Sequence, residues 1–170
     1  MTSQFIEFLK NYIIYCFKND RDFSNINFVV DEAYDYNQEL SCPQIAIQLL
    51  TNSENEKYSS FETENVSDFG IQFNIFAEIM EINGEIYKAS NASSIISDKL
   101  KIFMNDLKFK RLNTNIVRLL RKGLDYRTPI DDTGQVYSNI IRYECQTIYP
   151  YNINLENYIK DLSILLKLHQ

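Results

Sequence analysis

Side chains able to perform covalent or metal chemistry are few in this sequence, and they are poorly spaced for it. The only histidine among the 170 residues is His169. A His-assisted nucleophile, a histidine general base and a multi-histidine metal site therefore all lack their essential group. Cys16, Cys42 and Cys145 are far apart and form no CxxC pair. They read as three free thiols in a reducing compartment, with Cys145 a small core residue on the apolar side of an alternating stretch. The four glycines (Gly70, Gly84, Gly123, Gly134) make neither a GxGxxG nor a Walker pattern, so glycine-rich phosphate binding has no support. Two carboxylate pairs remain, Asp31–Glu32 and Asp131–Asp132. A small magnesium-dependent nuclease would need a third acid or a lysine beside one of them on an adjoining strand. Neither pair has such a neighbour at a recognisable spacing, and both read as solvated turn carboxylates.

Charge is the stronger signal. The net charge is −6, but residues 20–85 hold 14 acids against Arg21 and Lys57 alone. Residues 108–127 carry Lys108, Lys110, Arg111, Arg118, Arg121, Lys122 and Arg127 against one acid, Asp125. Such a division suits a protein that meets complementary surfaces, copies of itself included, and equally suits a solvated surface whose charges cluster. A sequence pI of about 4.8 and the absence of zinc-finger, helix-turn-helix or RRM patterns argue against non-specific nucleic-acid binding. The longest apolar run, residues 12–17, is far short of a membrane span, and Glu7 and Lys10 interrupt the early apolar residues of any secretory signal. No cofactor or metal is expected.

The elements that would position these groups follow from periodicity. In "SQFIEFLKNYIIYCFKND", Phe5, Phe8, Leu9, Tyr12, Ile13, Cys16 and Phe17 recur every three or four residues, predicting a helix capped by Ser3. "NFVVDEA" and "CPQIAIQLL" read as strands, the second with Ile45, Ile47 and Leu49 on one side. Residues 51–68 show almost no apolar period and predict a long loop, and residues 52–67 are a candidate for ordering on contact with a partner. "IQFNIFAEI" alternates with Ile71, Phe73, Ile75, Ala77 and Ile79 on one face, and could extend to Ile82 before an Asn83-Gly84 turn. "SNASSIISDKLKIFMNDL" predicts a helix, burying Ala92, Ile96, Leu100, Phe103 and Leu107 and capped by Ser90 or Asn91. "NIVRLLRKG" predicts a strand closed by Gly123, followed by a turn-rich "DYRTPIDDTGQ". "VYSNIIRYECQTIY" predicts a last strand with Ile141, Tyr143 and Cys145 on one face. After Asn154 a final amphipathic helix is predicted, with Leu155, Tyr158, Ile159, Leu162, Leu165 and Leu166 in its stripe.

The expected fold is therefore α+β: a largely antiparallel sheet with an N-terminal helix, a middle helix packed on one face, and a C-terminal amphipathic helix. Three strands offer one apolar and one polar face, so the sheet should be covered mainly on one side. Phe76 and Ile140 are the large apolar residues on the polar side. Either the C-terminal helix folds back over them, or a partner does.

The order of these elements, with "PQIAIQLL", "ASNASSIISDKLKIFMNDL", "NIVRLLRKGLDYRTP" and the closing "IIRYECQTIYPY", resembles the tail terminator (tail-completion or neck) proteins of tailed bacteriophages and related contractile particles. The resemblance covers residues 1–150, with residues 151–170 as an appended helical extension. It implies a non-enzymatic structural protein of the virion tail or neck, assembled in the host bacterial cytoplasm. Such proteins form a ring, typically hexameric, that caps the tail tube, ends its growth and joins the neck or head connector. In contractile tails the sheath is a further partner, and DNA passes through the lumen without being gripped. On this reading Phe76, Ile140, Arg118, Arg121, Lys122 and Arg127 are the candidate subunit or partner interface. The alternatives are another head-tail connector, a baseplate adaptor, or the metal-dependent nuclease using Asp31, Asp131 or Asp132.

Overall fold

The computed structural model describes residues 2–30, 40–54, 65–109 and 116–149. In chain order these form α1 (Thr2–Lys18), β1 (Asn27–Val30), β2 (Gln44–Glu54), β3 (Asn65–Ala77), β4 (Met80–Ile82), β5 (Glu85–Tyr87), α2 (Ala89–Phe109), β6 (Ile116–Pro129) and β7 (Tyr137–Tyr149). Five strands make one sheet in the order β1-β2-β3-β7-β6, and β4 pairs with β5 as a separate hairpin. Among the described strands only the β1–β2 pair is parallel. The fold is α+β, with both helices on one face of a mostly antiparallel sheet. The helix expected after Asn154 lies outside the described residues.

Helix α1 buries the stripe its spacing dictates: Leu9, Tyr12, Ile13, Cys16 and Phe17. Phe17 is the hub. Its ring meets Phe103 of α2 edge-on at 5.0 Å, and Phe23 and Phe28 lie at 6.1 and 5.9 Å. The buried Tyr12 hydroxyl donates to the Phe103 carbonyl at 2.7 Å, which joins the helices and satisfies a phenol that burial would otherwise orphan. Lys18 ends the helix by donating to the carbonyls of Ser24 and Ile26. Helix α2 sets Ala92, Ile96, Leu100, Phe103 and Met104 against the sheet. It starts two or three residues earlier than its capping signals suggest. The Lys88 carbonyl accepts from the Asn91 and Ala92 amides, both at 2.9 Å, so Ser90 and Asn91 lie inside the first turn. Ser3 likewise falls inside α1, which begins at Thr2.

The inner face of the sheet is built by register. Ile45, Ile75 and Asn139 share one row, Ile47, Phe73 and Ile141 the next, and Leu49, Ile71 and Tyr143 the third. All are buried except Leu49, which is 37% exposed where the helical cover runs out.

Three expectations need correction. Residues 51–68 are not one loop: β2 runs on to Glu54 and β3 starts at Asn65, with Asn52 paired to Phe69 and Glu54 to Ser67. β3 has β7 on its other side through Asn65↔Tyr149. Ladder hydrogen bonds on both edges need no apolar period, so the pattern missed them. Residues 55–64 lie outside the described residues. Second, β3 stops at Ala77, and Ile79 is not on its inner face but 63% exposed. Third, Gly123 does not end β6. At φ +70° it opens an irregularity in which the steps from Lys122 to Tyr126 match only those from Arg142 to Ile140 on β7. The strand then continues to Pro129 through residues expected in a turn.

Candidate functional site

The face of the sheet away from the helices is polar by sequence but not open. Gln44, Ala46, Gln72, Asn74, Phe76 and Ser138 are all buried there. The amides are satisfied by one another. Gln72 Nε2 donates to Asn74 Oδ1 at 2.8 Å and to Gln48 Oε1 at 3.3 Å, and Asn74 Nδ2 donates to Gln48 Oε1 at 3.0 Å. Arg142 Nε donates to Gln72 Oε1 at 2.8 Å. Register explains the meeting, since Gln48, Gln72 and Arg142 occupy one cross-strand row. Beside this ladder lies a cleft of about 520 Å³, walled by Phe76, Tyr126, Ile130, Ser138 and Ile140 among others.

Phe76 is only 3% exposed within the single chain, which removes the reason for expecting a partner on it. Ile140 is half-buried on the same cleft. The basic candidates on β6 divide by register. Arg121 pairs with Tyr143 and Arg127 with Asn139, both on the helical side, whereas Lys122 pairs with Arg142 on the cleft side. Arg118 is in register with Gln146. Arg127 Nη1 donates to Ser94 Oγ on α2 at 2.7 Å. Asp125, thrust out by the irregular segment, is shared between Lys101 of α2 and Arg121. Lys122 pairs with Glu144 at 2.6 Å. Arg121 and Lys122 are about half exposed, so such pairs add only about 0–1 kcal/mol each and leave the cations accessible.

Exposed apolar groups that sequence reasoning missed include Ile79, Ile86 (78%) and Tyr126 (64%). Asn83 (φ +54°) and Gly84 (φ +79°) form the tight turn that the Asn-Gly pair signals. It sets Met80 and Ile82 into the core and, with Glu81 opposite Ile86, turns Ile86 outward. The available clue was the charged company of Ile86 in "NGEIYK". Tyr126 carried no sequence signal, because its side depends on the extra residues of β6.

The titratable groups point to packing. Burial, with the Glu144 carboxylate adding to it, pushes the Cys145 thiol far up. Burial and Glu78 raise Cys42 to about 11. Asp131 is held below the usual carboxylate range, first by the Thr133 hydroxyl at 2.6 Å and then by backbone amides. Both its oxygens are engaged in organising the 130–136 turn. Asp31 lies outside the described residues. Among the described residues no three His, Cys, Asp or Glu side chains are grouped to hold a metal ion, and no helix is long and apolar enough to cross a membrane.

No protein-family model matches the chain, and no curated protein matches it.

Proposed function

We propose that this protein is a tail-terminator-like ring subunit that caps a tail tube, ends its growth and offers a surface to the neck or head connector and, in a contractile particle, to the sheath. It acts by shape and charge, without turnover, in the virion tail or neck after assembly in the bacterial cytoplasm. DNA passes the ring lumen without specific contacts.

The observation that carries this reading is the polarity of the folded subunit. One corner is acidic: Asp20 and Asp22 follow α1, the Asp22 carboxylate accepts from the Asn83 amide at the hairpin turn, and Glu81 and Glu85 stand on that hairpin. The far edge of the sheet is β6, which carries Arg121, Lys122 and Arg127. A closed ring uses heterologous contacts, in which one patch meets a different patch on the next copy. An acidic corner and a basic edge on one subunit supply two such patches.

The test is co-sedimentation with growing tail-tube protein from the same particle. A terminator binds tube ends as a ring and halts elongation at sub-stoichiometric ratios. Rings that bind a connector or baseplate protein and leave tube length unchanged would move the protein to another layer. Magnesium-dependent DNA cleavage lost on Asp131→Asn or Asp132→Asn would overturn the structural role.

A further inference from the structure

Among the described residues none covers the outer face of the β4–β5 hairpin. Its inner residues Met80 and Ile82 are fixed in the core, so Ile79 (63% exposed) and Ile86 (78%) point away from the chain. The register Glu81↔Ile86 puts Ile86 on the outer side of the hairpin, and exposed Ile79 stands in the bend that leads into β4. They are rimmed by exposed Glu78, Glu81 and Glu85, with Lys88 the one cation among them.

A second surface has the opposite rim. Tyr126 is 64% exposed at the mouth of the cleft that Phe76, Ile130 and Ile140 help to wall. On the cleft side of β6 and β7 stand Lys122 and Arg142, against Glu144. Edge pairing of backbones is discouraged here: the irregularity at Gly123, the lysine and arginines, and Pro129 all interrupt a continuous ladder. Contact through side chains remains. The cleft can accept an isoleucine, and the rims attract.

We propose that the β4–β5 hairpin of one copy docks through Ile79 and Ile86 onto the Tyr126 cleft of a second copy, with Glu78, Glu81 and Glu85 facing Lys122 and Arg142. The hairpin packs on the helical side of the sheet and the cleft opens on the other, so the hairpin cannot reach the cleft of its own chain. Each copy then uses one surface per neighbour, a head-to-tail contact. Its closing into a ring rests on the function proposed above, whereas the contact itself is measurable without tube protein.

The experiment is sedimentation velocity on the full chain from micromolar concentration upward, at low and high salt, with Ile86→Lys and Tyr126→Ala run singly and as an equimolar mixture. Both sites are exposed, and circular dichroism checks that each variant folds. The wild type self-associates, less so at high salt. Each single variant associates at least about tenfold more weakly, as expected of a central apolar anchor. The mixture recovers a dimer and nothing larger, because only the intact hairpin of Tyr126→Ala and the intact cleft of Ile86→Lys can meet. A wild type that stays monomeric throughout overturns the contact. So does a variant that assembles like wild type, or a mixture that yields no dimer. Assembly indifferent to both substitutions sinks this contact and leaves the ring reading standing. Assembly mapped as described, but unable to bind tube ends, sinks the terminator reading and leaves the contact.

Discussion

Replacing Gln72 by methionine separates a buried polar ladder from a wet sheet face. Gln72 is 9% exposed and makes three side-chain hydrogen bonds: it accepts from Arg142 and donates to Asn74 and Gln48. Methionine keeps the length and loses every polar atom. Asn74, only 5% exposed, then holds a carbonyl oxygen without its donor, and such an orphan costs about 1–3 kcal/mol. The exposed Arg142 can take water in exchange, so that bond costs about 0.5–1.5 kcal/mol at most. The expected loss is about 2 kcal/mol, which for a domain of this size lowers Tm by about 4–8 °C. Urea unfolding followed by far-ultraviolet circular dichroism should show a lower midpoint at unchanged slope. The double variant Gln72→Met/Asn74→Leu should cost less than the sum of the single changes, since it removes the orphan along with its former donor. A Gln72→Met midpoint within about 0.5 kcal/mol of wild type, with additive singles, is the signature of a solvated surface and would refute the buried ladder.

Phe76→Ala should destabilise the isolated chain by about 3–5 kcal/mol, and a loss below about 1 kcal/mol in chemical denaturation would return Phe76 to the surface. Gly123→Ala meets open space but keeps φ +70°, so backbone strain alone should cost about 1 kcal/mol; thermal melts reveal it, and an unchanged Tm would mean the irregularity relaxes. Tyr143 is raised to about 12, mainly by burial. Its folded pKa lies above the unfolded value near 10, so its contribution is intact below about pH 10 and is lost as pH climbs towards 12, about 2–3 kcal/mol in all. Urea midpoints against pH should therefore fall less steeply in Tyr143→Phe, and parallel curves would contradict the burial argument.

The sequence by itself determined the helices, the inner sheet face and the class of fold. Leu9 to Phe17, Ala92 to Met104, and the alternating Ile71 to Ala77 and Ile141 to Cys145 are periodic because each must bury one stripe. The Asn83-Gly84 turn was equally legible, since few pairs accept two successive positive φ angles. Strand ends were not legible. β2 and β3 continue through polar residues because the neighbouring backbones, β7 included, offer hydrogen bonds that side-chain pattern does not encode. The candidate site lay further out of reach. Whether Phe76 is wet depends on what stands beside it across strands remote in sequence. Whether Tyr126 faces the cleft, and Asp125 reaches α2, depends on extra residues that change the phase of β6 against β7. Local propensity decides which residues form an element, whereas register between elements decides which side chains meet.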